Sequence, residues 1–137
     1  MAAANETKST GRVLVIKQDP GARELLLCTL RQGGHEVEGA SDGIEALTRL
    51  HAREFDAVLT DLQMPRLDGL SLLQRINASK HAIPVLMQTT LPSADLETTL
   101  YEAGAFRVLM KGGPMRDLLR SVEAACQVAR QARTHSA

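Results

Sequence analysis

Short runs centred on Val, Leu and Ile recur along the chain at residues 13–16, 36–38, 57–60, 84–87 and 107–110. They begin roughly 21 to 27 residues apart, which leaves room for one helix and two short loops in each gap. Helical spacing fills those gaps. Residues 23–31 carry Leu25, Leu26 and Leu30, and residues 43–52 carry Ile44, Leu47 and Leu50. A third helix over 70–76 follows Asp68-Gly69, and a fourth over 96–103 follows Pro92-Ser93. Pro114 opens a last helix bearing Leu118, Leu119, Val122 and Ala125, as proline does at a first helical position.

Strands alternating with helices imply a parallel sheet joined by crossovers, with helices on both faces. The expected fold is α/β: a doubly wound, five-stranded parallel sheet of order 2-1-3-4-5, a flavodoxin-like (βα)5 arrangement. Strands one, three and four are the most continuously apolar, as burial on both faces requires. The Glu-rich second strand suits an edge. Such sheets place their chemistry outside the carboxyl ends of the strands, where the winding reverses. Here that point lies between strands one and three, at Lys17-Gln18-Asp19 and Asp61. The folded domain is expected over 12–133, with a mobile N-terminal tail over 1–11 and a C-terminal tail over 134–137.

Composition narrows the function. The chain has 137 residues, one domain's worth, with 16 basic and 16 acidic residues and zero formal net charge. A balanced charge argues against nucleic-acid binding and against an electrostatically held membrane protein. Aromatics are 2% of the chain, so bases would find no stacking platform. No apolar run is long enough to span a bilayer, and no secretory signal opens the chain. Cys28 and Cys126 form no CxxC and read as thiols in a reducing, cytoplasmic setting.

Asp61 ends the third strand, where a buried carboxylate must be paired or put to use. A carboxylate can also attack phosphorus to form an acyl phosphate. Thr89 ends strand four and Lys111 ends strand five. Three strands would thus bring a phosphoryl acceptor, a hydroxyl donor and an ammonium to one edge of the sheet.

These residues carry a resemblance. Asp56-Ala-Val-Leu-Thr-Asp61-Leu-Gln-Met-Pro-Arg-Leu-Asp68-Gly69 is similar to the phosphoacceptor segment of receiver domains in bacterial two-component response regulators. Ile83-Pro-Val-Leu-Met-Gln-Thr89 resembles that family's fourth strand, and the stretch from Glu102-Ala-Gly-Ala105 to Lys111 resembles the approach to its lysine. The resemblance covers roughly residues 12–130. It implies that Asp61 accepts a phosphoryl group from a histidine kinase and that Thr89 and Lys111 contact that group. It also implies a Mg²⁺ ion held by an acidic pair after strand one.

This chain departs from the family at that pair. Ile16-Lys17-Gln18-Asp19-Pro20 puts Lys17 and Gln18 at the two acidic positions, with Asp19 just beyond. Mg²⁺ requires hard oxygen ligands in octahedral geometry. Gln18 offers a neutral carbonyl, and Lys17 a cation. Asp61, Asp19, Lys17 and Lys111 sum to zero charge, so the pocket has no electrostatic need of a metal. Lys17 is therefore expected to reach toward Asp61, with Lys111 on the other side, and Mg²⁺ binding is expected to be weak or absent. Val108 stands where the family carries a switching aromatic ring. Lys111-Gly112-Gly113-Pro114 replaces the usual Lys-Pro, and Thr90 adds bulk expected to narrow access to Asp61.

The first expectation is thus a stand-alone, atypical receiver in phosphorelay signalling, not an enzyme, acting mainly by protein contact through its fourth and fifth helices. Its partners would be a histidine kinase, a downstream effector or a second copy on that same face. The alternatives are a working phosphoacceptor and a small-molecule sensor using the vacated pocket. Other motifs carry less. Gly33-Gly34 and Gly112-Gly113 are turn pairs, not phosphate loops. His35, His51, His81 and His135 lack metal-ligand spacing and are expected on the surface. Leu25-Leu26-Leu27 leaves one leucine turned to solvent.

Overall fold

The structure, a computed structural model, describes residues 10–79 and 82–135. Among these residues the chain runs β1 (Arg12–Ile16), α1 (Pro20–Gln32), β2 (Glu36–Ala40), α2 (Gly43–Ala52) and β3 (Ala57–Asp61). It continues through α3 (Gly69–Ala78), β4 (Val85–Thr89), α4 (Ala94–Glu102), β5 (Arg107–Met110) and α5 (Met115–His135). All strand pairs are parallel, and the sheet order is β2-β1-β3-β4-β5, as expected.

Strand alternation divides the core in two. Val13, Val15, Ala57, Leu59 and Leu86 face α1 and α5, packing on Leu26, Leu30, Leu118 and Val122. Leu14, Ile16, Val58, Val85 and Met87 face the other way, onto Ala46 of α2, Leu72 and Leu73 of α3 and Leu100 of α4. β1, β3 and β4 are covered on both faces, which explains their unbroken apolar runs.

Side-chain caps set the helix starts. Asp19 Oδ2 accepts from the Ala22 N–H at 2.7 Å, so α1 begins at Pro20, three residues before its apolar repeat. Asp42 accepts from the Glu45 N–H at 2.8 Å while Glu45 accepts from the Ser41 N–H at 2.6 Å, a reciprocal cap on α2. Asp68 caps α3, and the following glycine is required by contact. A Cβ on Gly69 would lie 2.5 Å from the Asp61 carbonyl oxygen and 2.6 Å from Met87 Sδ.

The ends differ from expectation in detail. Of the expected N-terminal tail, residues 1–9 lie outside the described residues. Gly11 is already held, its N–H donating to His35 Nδ1 at 3.2 Å and its carbonyl accepting from the Glu36 N–H at 3.0 Å. α5 runs to His135, and Arg133 pairs with Asp56 at the base of β3. No helix among the described residues is long and apolar enough to cross a membrane.

Candidate functional site

Lys17 follows the last residue of β1, Ile16, which is level with Thr60. Asp61 at the end of β3 is level with Gln88 of β4. Lys17, Asp61 and Gln88 therefore extend the rows of Val15, Leu59 and Leu86 on the α1–α5 side. Lys17 Nζ donates to Asp61 Oδ1 at 2.9 Å and to Gln88 Oε1 at 2.5 Å. The Lys17 and Asp61 side chains are only 6% and 5% exposed. Lys111 approaches the same carboxylate oxygen from the rim, with Nζ 3.2 Å from Asp61 Oδ1 and its side chain 38% exposed. Its backbone N–H donates to the Thr89 carbonyl at 2.9 Å, and the chain then turns through Gly112 at φ 80°.

These groups border an open cleft of about 400 Å³, lined by Lys17, Gln18, Asp19, Asp61, Gln63, Lys111 and the start of α1. The expectation that Lys17 and Lys111 flank Asp61 matches this arrangement. Gln18 is exposed at the cleft, and Asp19 borders it while capping α1. Among the described residues, no three His, Cys, Asp or Glu side chains come together as a metal-holding group.

Other expected groups fall elsewhere. Thr89 is buried at the same sheet edge, but it belongs to the alternate row of Val85 and Met87 and is not part of the cleft lining. Thr90 is exposed and is not among the residues lining the cleft. Val108 carries no ring, yet its backbone N–H donates to the Tyr101 hydroxyl on α4 at 3.0 Å. His35 is 4% exposed, correcting the surface expectation, because its Nδ1 is needed as the acceptor for Gly11. His51 is exposed; His81 and the side chain of His135 lie outside the described residues.

Gln88 was not anticipated. The available signal was a polar residue interrupting Val85-Leu-Met87 inside a buried strand. A second pairing steadies the loop beside the site. Arg66, at φ 69°, turns its guanidinium onto Asp42, tying the β3–α3 loop to the start of α2. The Glu45 N–H and Arg66 together hold the Asp42 carboxyl below the usual carboxylate range.

Comparison with known proteins decides the family. The model for the response regulator receiver domain matches residues 13–123. The chain belongs to this family. Over 113 residues this receiver is 35% identical to the response regulator MprA of Mycobacterium sp. (strain KMS), matching 82% of the chain and 49% of that protein. It is 38% identical over 103 residues to a gliding motility regulatory protein of Myxococcus xanthus, covering 74% of the chain and 13% of that protein. The receiver thus spans half or less of the length of these relatives. Among solved structures it is similar to the receiver domain of Francisella response regulator 1452, with a TM-score of 0.82, 26% identity, and 85% and 97% of the two chains covered. The Vibrio cholerae chemotaxis protein CheY4 gives a TM-score of 0.77 at 29% identity, over 85% and 98%. The fold and motifs are those of a response-regulator receiver in two-component signalling.

Proposed function

We propose that this receiver is atypical: it keeps Asp61 in a standing ion pair, works without a divalent cation and signals mainly by protein contact. The observation that carries this reading is the 2.9 Å contact between Lys17 Nζ and Asp61 Oδ1, made by two buried side chains. The Mg²⁺ implied by the family does not fit the residues present. A cation beside Asp61 would have to displace an ammonium already hydrogen-bonded there. The other carboxylate lining the cleft, Asp19, is committed to the first turn of α1. Octahedral coordination needs several hard oxygens free to converge, and of the two carboxylates lining this cleft Asp61 is already shared by two lysines and Asp19 caps a helix.

The consequence for phosphorylation follows from charge and geometry. Phosphoryl transfer depends on positioning and on neutralising the equatorial oxygens. Lys17 supplies charge on a flexible stem, without fixed coordination. Losing about 3 kcal/mol of metal stabilisation slows transfer roughly a hundredfold. Asp61 is thus a poor acceptor, and Thr89, in the alternate row, contributes little. The receiver acts as a cytoplasmic, non-catalytic module whose partner is a histidine kinase or an effector protein, docked on the α4 and α5 face.

The test is intact-mass spectrometry after incubation with acetyl phosphate, with and without Mg²⁺, beside Asp61→Ala. The expected result is little addition of a phosphoryl group and no Mg²⁺ dependence. Rapid, Mg²⁺-dependent addition of one phosphoryl group, lost in Asp61→Ala, would establish the working phosphoacceptor instead.

A further inference from the structure

We infer that Gln88 is a positioning residue: it holds the Lys17 ammonium on Asp61 and so selects the chain's own cation over a divalent ion. This rests on the metal-independent reading of the same site. An ammonium presents three N–H donors and no acceptor, and a buried donor without a partner is costly. Asp61 can satisfy only part of this demand. The oxygen facing Lys17, Oδ1, is the one that Lys111 also approaches. Gln88 Oε1 supplies the second acceptor, at 2.5 Å, from the neighbouring strand.

The kind of acceptor matters as much as its place. Gln88 is itself 6% exposed, on a strand whose preceding residues Val85, Leu86 and Met87 are wholly buried. An aliphatic side chain there would pack as well but leave an ammonium N–H without a partner. A carboxylate there would satisfy the ammonium while adding a second negative charge beside Asp61, which would favour a divalent ion. A neutral amide satisfies the ammonium and leaves the pocket charge unchanged. Arg23 adds a fixed boundary to the same segment, its guanidinium donating to the Lys17 carbonyl at 2.7 Å, while the Lys17 N–H donates to Ala40 at 3.1 Å. The Lys17 backbone is thereby held, and Gln88 directs the rest of the side chain.

Linkage makes this measurable. A divalent ion at Asp61 must displace Lys17, so any group that stabilises docked Lys17 weakens the ion's affinity by the same factor. The experiment titrates Mg²⁺ against ¹⁵N-labelled protein, following the Asp61 and Leu62 amides, in the wild type, Gln88→Met, Lys17→Met and the double variant. Hydrogen exchange of the Lys17 ammonium is recorded in parallel, with Gln88→Glu as a variant that keeps the acceptor. Lys17→Met should raise Mg²⁺ affinity at least tenfold over the wild type, and Gln88→Met three- to tenfold. Gln88→Met should add nothing in the Lys17→Met background. The Lys17 ammonium should exchange at least tenfold faster in Gln88→Met and stay protected in Gln88→Glu. If Lys17→Met raises Mg²⁺ affinity but Gln88→Met changes neither affinity nor Lys17 exchange, Gln88 does not position the lysine. If the wild type binds Mg²⁺ tightly and Lys17→Met changes nothing, the metal-independent reading itself fails.

Discussion

Removing Lys17 should destabilise the fold by an amount the site's geometry sets. Breaking a buried ion pair by deleting one partner costs about 3–5 kcal/mol, because a charge is left uncompensated. Asp61 would retain Lys111 on the same oxygen. That lysine is a little over a third exposed, and pairs in that setting contribute at most about 1 kcal/mol. Lys17→Met should therefore cost about 2–4 kcal/mol, or roughly 10 °C or more in midpoint for a domain of this size. Asp61→Leu should cost about 3–4 kcal/mol, since it strands the better-buried ammonium beside Lys111. The double variant removes both charges and leaves mainly the Gln88 carbonyl unpaired, so it should cost only about 2 kcal/mol. The coupling read from the double-mutant cycle is then about 3 kcal/mol or more. Urea unfolding followed by far-UV circular dichroism measures all four proteins. A double variant whose loss equals the sum of the single losses would refute the reasoning, as would a Lys17→Met variant as stable as the wild type.

Burial pushes the His35 imidazole below its ordinary pKa, partly opposed by Glu123. The unfolded chain therefore takes up the proton first, and stability should fall as pH drops below about 6.5 toward the lower folded value. Urea midpoints between pH 7.5 and 5.5 should show this slope and lose it in His35→Gln; parallel slopes in the two proteins would contradict it. Burial raises the Cys126 thiol to about 12, whereas Cys28 is exposed. A thiol reagent at pH 8 should label one cysteine in the native protein and two in urea, and native labelling of both would show that α5 opens. Gly69→Ala puts a methyl 2.5 Å from the Asp61 carbonyl oxygen. It should cost at least about 2 kcal/mol by urea unfolding, given the usual penalty for overpacking, and a loss under about 0.5 kcal/mol would show that α3 can shift freely.

Much of this protein is local in origin and so legible along the chain. The short apolar runs and the helical repeats between them specify alternating elements, and chirality leaves few ways to wind them into a parallel sheet. Asp61, Thr89 and Lys111 could be placed at one edge because each ends or directly follows a strand. The pocket's zero charge pointed Lys17 toward Asp61 because opposite charges leaving water together must pair. Register and side were another matter. Gln88 meets Lys17 across 71 residues of sequence, through three strands whose relative offset no single strand encodes. That offset places Lys17, Asp61 and Gln88 in one row and Thr89 in the alternate one. His35 likewise is polar by composition but buried by position, because the chain returns Gly11 against it and its ring nitrogen completes that backbone's hydrogen bonding. Local residue preferences determined the elements and the strand ends. Strand register and packing across the sheet decided which side chains share a cleft, because those contacts form only when distant segments are brought level.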